Sequence, residues 1–215
     1  MLVLLNEGHW VLFAMVLAAI IVSLSFHEFG HAWTAWCFGD DTAQRAGRLT
    51  LNPLAHIDPL GLLMVVFVGF GYARPVPTNP SKFRSGYADL LVSAAGPAMN
   101  LLLAVVTINS YVLAIQFGWL SIDQQGPQTF CYLLTLINML LMLFNLLPVG
   151  ALDGHYILPY FLPRRWANWY RYYNSRYGNL LLLALILLEV LPVGVPVFST
   201  LMNVSKAMIG WIIIF

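Results

Sequence analysis

Ser25-Phe26-His27-Glu28-Phe29-Gly30-His31 closes the first long apolar stretch, and its reading decides both the fold and the chemistry. On a helix, residues four apart share a face, so His27 and His31 can bring two imidazoles to one metal ion. Glu28 leaves the helix at another azimuth, where it can act on water polarised by that ion without ligating it. Charge is expensive in such an apolar setting. Two histidines and a glutamate placed there each need a partner, which weighs against histidines that merely pack on a buried face. In a soluble helix the pattern implies a zinc peptidase; here it implies one that works inside a lipid bilayer.

Of the 215 residues, 60% are hydrophobic and only 9% are charged. Soluble domains carry about 25% charged residues, so the chain reads as an integral membrane protein. The net charge of +1, with no basic cluster, gives no footing for nucleic acid. Cys37 and Cys131 form no CxxC motif, which argues against a disulfide framework. The first basic residue is Arg45, so no secretory signal is recognisable and the first apolar segment is expected to be retained.

Five stretches approach the roughly 20 residues that cross about 30 Å of hydrocarbon: 10–38, 87–118, 129–150, 177–193 and 195–215. Leu191-Pro192-Val193-Gly194-Val195-Pro196 reads as a tight turn between the last two. A sixth apolar run, 61–72, is too short to span and is rich in Val, Phe and Gly, which predicts strand or re-entrant structure. The fold expected is therefore an all-α membrane bundle of five to six hydrophobic segments with a small membrane-associated β element. It forms one domain over 1–215, with a catalytic core at about 10–155 and C-terminal helices at about 177–215.

Basic residues set the orientation. Arg45 and Arg48, then Arg74, Lys82 and Arg84, then Arg164, Arg165, Arg171 and Arg176 occupy three connections, whereas the 119–128 connection carries only Asp123. If 61–72 does not cross, every basic connection falls on the cytoplasmic side. The histidine end of the first segment and the end of 129–150 then meet at similar depth on that side.

Catalytic zinc commonly takes three protein ligands and leaves a fourth position to water. The candidates for the third are His56, Asp58, Asp89, Asp153, His155 and Glu189. Asp153 follows Asn145-Leu146-Leu147-Pro148-Val149-Gly150-Ala151-Leu152, where Pro148 and Gly150 should break the helix. Broken helices at membrane depth line cavities, and this favours Asp153. A helix-terminal carboxylate in a turn with Gly154 fits the spacing equally well. His56 reads more readily as a loop histidine bonding a turn than as a group supporting the metal site or substrate. Asn100, beside Gly96 and Pro97, reads as a structural polar group near the site. The Trp, Tyr and Arg residues of 164–177 read as an interfacial belt on the cytoplasmic surface.

Six pieces in order carry a family resemblance: 26–32 around the paired histidines; Gly39-Asp40 with Thr42-Ala43; 47–59 from Gly47-Arg48 to Asp58-Pro59; Ala73-Arg74-Pro75-Val76-Pro77; Ala95-Gly96-Pro97-Ala98-Met99-Asn100; and Phe144-Asn145-Leu146-Leu147-Pro148 with Leu152-Asp153-Gly154. Over most of 20–155 the chain resembles the site-2 protease family of intramembrane zinc metalloproteases, in its short bacterial form without a peptide-binding domain. The resemblance implies one Zn2+ per chain held by His27, His31 and Asp153, with Glu28 activating water. It implies that Asn145 positions substrate or stabilises the oxyanion, and that 47–78 forms a membrane-associated sheet. Substrates would be transmembrane segments of other proteins, already trimmed by another protease.

Three positions depart from the family pattern. Gly150 and Ala151 stand where prolines are usual, a change expected to loosen the turn before Asp153. His155 follows Asp153-Gly154 where a small residue is usual, placing another potential ligand beside the site. The competing readings are an inactive membrane scaffold or chaperone that retains the zinc site, and a metal-ion transporter. The ligands cluster at one depth rather than along a path, which weighs against transport.

Overall fold

The computed structural model describes residues 1–69, 71–190 and 196–215. A short α1 (Leu2–Asn6) precedes α2 (Trp10–Cys37), whose 28 residues reach about 42 Å at 1.5 Å per residue. Short helices α3 (Thr42–Arg45), α4 (Pro53–His56) and α5 (Pro59–Val68) follow, then α6 (Ala88–Gln116) and α7 (Gln125–Asn145). The chain ends with α8 (Gly154–Ile157), α9 (Arg164–Val190) and α10 (Val197–Ile212). Among the described residues, α2, α6 and α7 are the three helices long and apolar enough to cross a membrane. The protein is a helical membrane protein.

Small residues let these helices approach closely. Ala19, Ser23, Gly30, Ala32 and Ala35 are buried on α2. A Cβ added to Gly30 would lie 2.6 Å from Met99 Cγ and 2.7 Å from the Ala95 carbonyl oxygen on α6, so the two backbones meet there. Away from the site, Ala104, Ile108, Leu136, Met139, Met142 and Ile209 form an apolar core joining α6, α7 and α10. Asn109 of α6 caps that corner, donating to the Ile212 carbonyl at 2.8 Å and accepting from Ile214 N–H at 2.7 Å. Polar backbone at a helix end is satisfied in this way where water is scarce.

The expected five to six segments are not all seen as spanning helices. Of the segment expected at 177–193, the described residues 177–190 belong to α9, which begins earlier among arginines and aromatic residues. Within the segment expected at 195–215 lies α10, whose 16 residues reach only about 24 Å. The turn read at 191–196 lies, except for Pro196, outside the described residues.

The expected β element is corrected. Residues 59–68 form a helix of 10 residues, about 15 Å long and too short to cross. Its boundaries have plain causes. Asp58 Oδ1 accepts from the Leu60 and Gly61 amides, both at 2.9 Å, Pro59 takes the first turn, and Gly69 ends the helix at φ +83°. Among the described residues no sheet forms over 47–78. Pairing there reduces to one antiparallel bridge, Ile57 to Ala73, beside an Arg74 N–H bond to the His56 carbonyl at 2.8 Å. Pro75 and Pro77 follow directly, and neither has an N–H with which to extend a ladder.

Candidate active site

His27 and His31 lie one helical turn apart on α2, with their Nε2 atoms 3.1 Å apart. The chain leaves α7 at Asn145 and folds back so that Asp153 meets both: Oδ2 is 3.2 Å from His27 Nε2, and Oδ1 is 3.4 Å from His31 Nε2. Gly154 permits this fold. A Cβ there would lie 2.5 Å from the Leu147 carbonyl oxygen. Gly96 of α6 supplies the opposite wall, since its added Cβ would lie 2.6 Å from His27 Nε2 and would press on His31 as well.

These residues fit a metal ion. His31 Nδ1 lies 2.7 Å from the Val92 carbonyl oxygen, which only accepts, so Nδ1 carries the proton and Nε2 presents a lone pair. Asp153 Oδ2 is buried and has no hydrogen-bond partner. Lone pairs and a carboxylate that converge in a buried space need a cation between them. Donors at about 2.0–2.1 Å from a tetrahedral zinc stand about 3.3 Å from one another, which agrees with the separations above. Among the described residues this is the cluster of three such groups able to hold a metal.

Glu28, 8% exposed, points elsewhere. Its Oε2 accepts from Val76 N–H at 3.0 Å. Val76 lies in an extended strap, 73–79, secured at both ends. Buried Arg48 donates to the Arg74 carbonyl, and Asn79 N–H donates to buried Asp40 at 2.5 Å. Asp40 also accepts from the Thr42 amide and hydroxyl.

Other candidates fall into different surroundings. Asn100 contacts the metal group itself, with Oδ1 2.6 Å from His27 Nδ1. Two residues that the sequence reading passed over, Asn138 and Ser23, join it in a buried polar chain. They look like ordinary polar residues of apolar helices, and only the packing of α2, α6 and α7 reveals them. Asn145 donates back to the Leu141 carbonyl at 3.0 Å. His56 is fully buried, and its Nε2 donates to the Thr50 carbonyl at 2.7 Å. Asp58 caps α5. The side chain of Glu189 lies outside the described set.

His155 does not join Asp153. Its Nδ1 lies 3.4 Å from the Tyr170 hydroxyl, and it lines a cavity of about 510 Å³ with Asp89 and Arg171. Burial and the Arg171 charge hold its pKa below the usual histidine value, against the pull of Asp89. Nor is the turn at Gly150 loose: Asn174 of α9 bonds it at two points.

Comparison with known proteins agrees with this geometry. The sequence profile of peptidase family M50 matches residues 15–121 and 107–188. Over 147 residues, 67% of this chain and 67% of the relative, the chain is 44% identical to "Putative zinc metalloprotease YwhC" of Bacillus subtilis (strain 168). Relatives named Rip2 under the same description are 35% identical over 152 residues in Mycolicibacterium smegmatis and 36% identical over 148 residues in Mycobacterium tuberculosis. Those matches cover 66% of this chain and 55% of each relative, so the chain spans just over half the length of the Rip2 proteins. No solved structure gives a significant match.

Proposed function

Because the chain belongs to peptidase family M50, we propose that it is a site-2-type zinc metalloprotease that hydrolyses a peptide bond within a transmembrane segment of another membrane protein. It works as a single multi-pass domain, with a catalytic core at 10–155 and its active site towards the cytoplasmic face. The observation that carries this reading is the convergence of His27 Nε2, His31 Nε2 and the Asp153 carboxylate.

His27, His31 and Asp153 would hold a zinc ion, which would supply Lewis acidity and lower the pKa of water towards ~7. Glu28 takes the proton from the attacking water and delivers it to the leaving amine. The Val76 amide on Oε2 steadies the carboxylate, so Oε1 is the oxygen assigned to the proton. Asn145 is assigned to the substrate, as a donor to the developing oxyanion. To serve there, its amide must turn away from the Leu141 carbonyl. A helical substrate hides its carbonyls in its own hydrogen bonds and must unwind before it can be cut. Prior trimming by another protease would free such a segment. The Trp, Tyr and Arg residues at the start of α9 serve as an interfacial belt on the cytoplasmic side.

Glu28→Gln tests the proposal, because it keeps the size of the side chain and removes the base. Zinc content of the purified protein should stay unchanged, while cleavage of a single-pass membrane substrate falls at least about a hundredfold. Undiminished cleavage by this variant would show that Glu28 is not the base and overturn the mechanism, and a wild-type chain that binds zinc but cleaves nothing would leave the scaffold reading.

A further inference from the structure

We infer that Asn138 and Ser23 are positioning residues for the metal, which fix the tautomer of His27 by acting through Asn100. The inference rests on the zinc site proposed above and adds two residues and a mechanism to it.

The direction of each hydrogen bond is forced from its far end. Backbone carbonyls accept and cannot donate. Asn138 Nδ2 lies 2.8 Å from the Leu134 carbonyl and 2.8 Å from Ser23 Oγ, so the NH2 end of Asn138 faces them. Ser23 Oγ spends its own proton on the Ala19 carbonyl at 2.6 Å, leaving it a lone pair for Asn138. The oxygen of Asn138 is thereby turned towards Asn100, whose Nδ2 lies 2.8 Å away and also 3.2 Å from the Ser23 carbonyl. Asn100 must then present its oxygen to His27 Nδ1, 2.6 Å away. An amide oxygen only accepts, so Nδ1 carries the proton and Nε2 keeps its lone pair for the metal.

Each link is protected. Ser23, Asn100 and Asn138 are 0% exposed. A flipped amide anywhere in the chain would set oxygen against oxygen or nitrogen against nitrogen in a dry space, where nothing else can satisfy them. The chain also crosses the three helices long and apolar enough to span a membrane: Ser23 and His27 on α2, Asn100 on α6, Asn138 on α7. Metal affinity is thus tied to the mutual packing of the bundle. Residues that orient a ligating histidine through its other nitrogen commonly contribute 10–100-fold to metal affinity.

The test uses the full chain purified in detergent, with zinc affinity read by competition with a chelator and coordination by the visible bands of bound Co2+. Asn138→Leu is expected to weaken zinc binding by about 10–100-fold, and Ser23→Ala should weaken it in the same direction. The Co2+ bands of folded Asn138→Leu protein should shift, because His27 no longer presents Nε2 in a fixed tautomer. A purely structural role predicts wild-type bands. Wild-type affinity in folded Asn138→Leu protein overturns the inference. If that variant does not fold, wild-type affinity in Ser23→Ala overturns it instead. A wild-type chain that binds neither zinc nor cobalt overturns the metal site and this inference together. A metal-binding wild type with unaffected variants overturns this inference alone.

Discussion

Asn174 grips Gly150 with both ends of its side-chain amide. Its Oδ1 accepts Gly150 N–H at 2.9 Å and its Nδ2 donates to the Gly150 carbonyl at 2.9 Å. Gly150 has φ +63°, a left-handed conformation open to glycine and closed to proline. The glycine that departs from the family pattern is therefore coupled to an asparagine 24 residues later, and together they hold the turn that delivers Asp153.

Gly150→Pro should accordingly harm the protein, although the family resemblance leads one to expect proline there. It deletes the donated N–H and demands φ near −65°. Asn174→Ala should cost about 1–3 kcal/mol for the partners left unsatisfied, and Gly150→Pro should cost more. Thermal unfolding in detergent measures the cost, and zinc content shows whether Asp153 stays in place.

Gly96→Ala should abolish metal binding, because the new methyl group would occupy space beside His27 Nε2 and His31 Nε2. Gly126→Ala, where an added Cβ meets nothing within 4 Å, serves as the control and should bind zinc normally. Zinc content of the two purified variants decides the matter.

Wild-type protein should carry about one zinc per chain, as a three-ligand site implies. His27→Ala should lose it. Asp153→Asn should weaken zinc and activity together, because a charged ligand becomes neutral. Chelation should abolish cleavage, and added zinc should restore it.

Asp40 makes stability depend on acid. Burial pushes its carboxyl up, but bonds from the Thr42 hydroxyl, the Asn79 amide and the Thr42 amide, with the Lys82 charge, bring it below the usual value. Since the folded value lies below the unfolded one of about 3.9, its stabilisation is present above pH ~4 and is lost as pH falls through the folded value. Asp40→Asn should lower the melting temperature at pH 7 and show a smaller further drop on acidification below pH ~4. Parallel melts at several pH values check both effects.

Reporter fusions at Gln125 and Arg165 should fall on opposite sides of the membrane, with Arg165 cytoplasmic. Fusions at Gly47 and Lys82 should fall on one side. Finding these last two on opposite sides would refute the orientation read from the basic residues.

The two histidines were legible because helical periodicity fixes their shared face whatever the rest of the fold does. Asp153 was legible less directly, through the helix break at Pro148 and Gly150. Residues 61–72 read as strand or re-entrant structure because Val and Phe favour strands as local residues and glycine is a poor helix former, although Asp58-Pro59 at the start of α5 and Gly69 at its end are ordinary helix boundaries that the sequence displays. The chain of Ser23, Asn100 and Asn138 could not be read in advance. Its members are separated by 77 and 38 residues, and each taken alone is an unremarkable polar side chain.

The strap at 73–79 would also constrain any peptide that docked along it. Between Arg74 and Thr78 the chain reads Pro75-Val76-Pro77, so Val76 has the one amide hydrogen of that interval, and Glu28 already holds it. An unwound peptide aligned along this segment would find carbonyl oxygens and no free N–H. The peptide would have to act as the donor throughout. A proline at the facing position of the peptide would then be a poor guest, and substrate choice near the scissile bond would turn on which residues can give a hydrogen rather than on the size of their side chains.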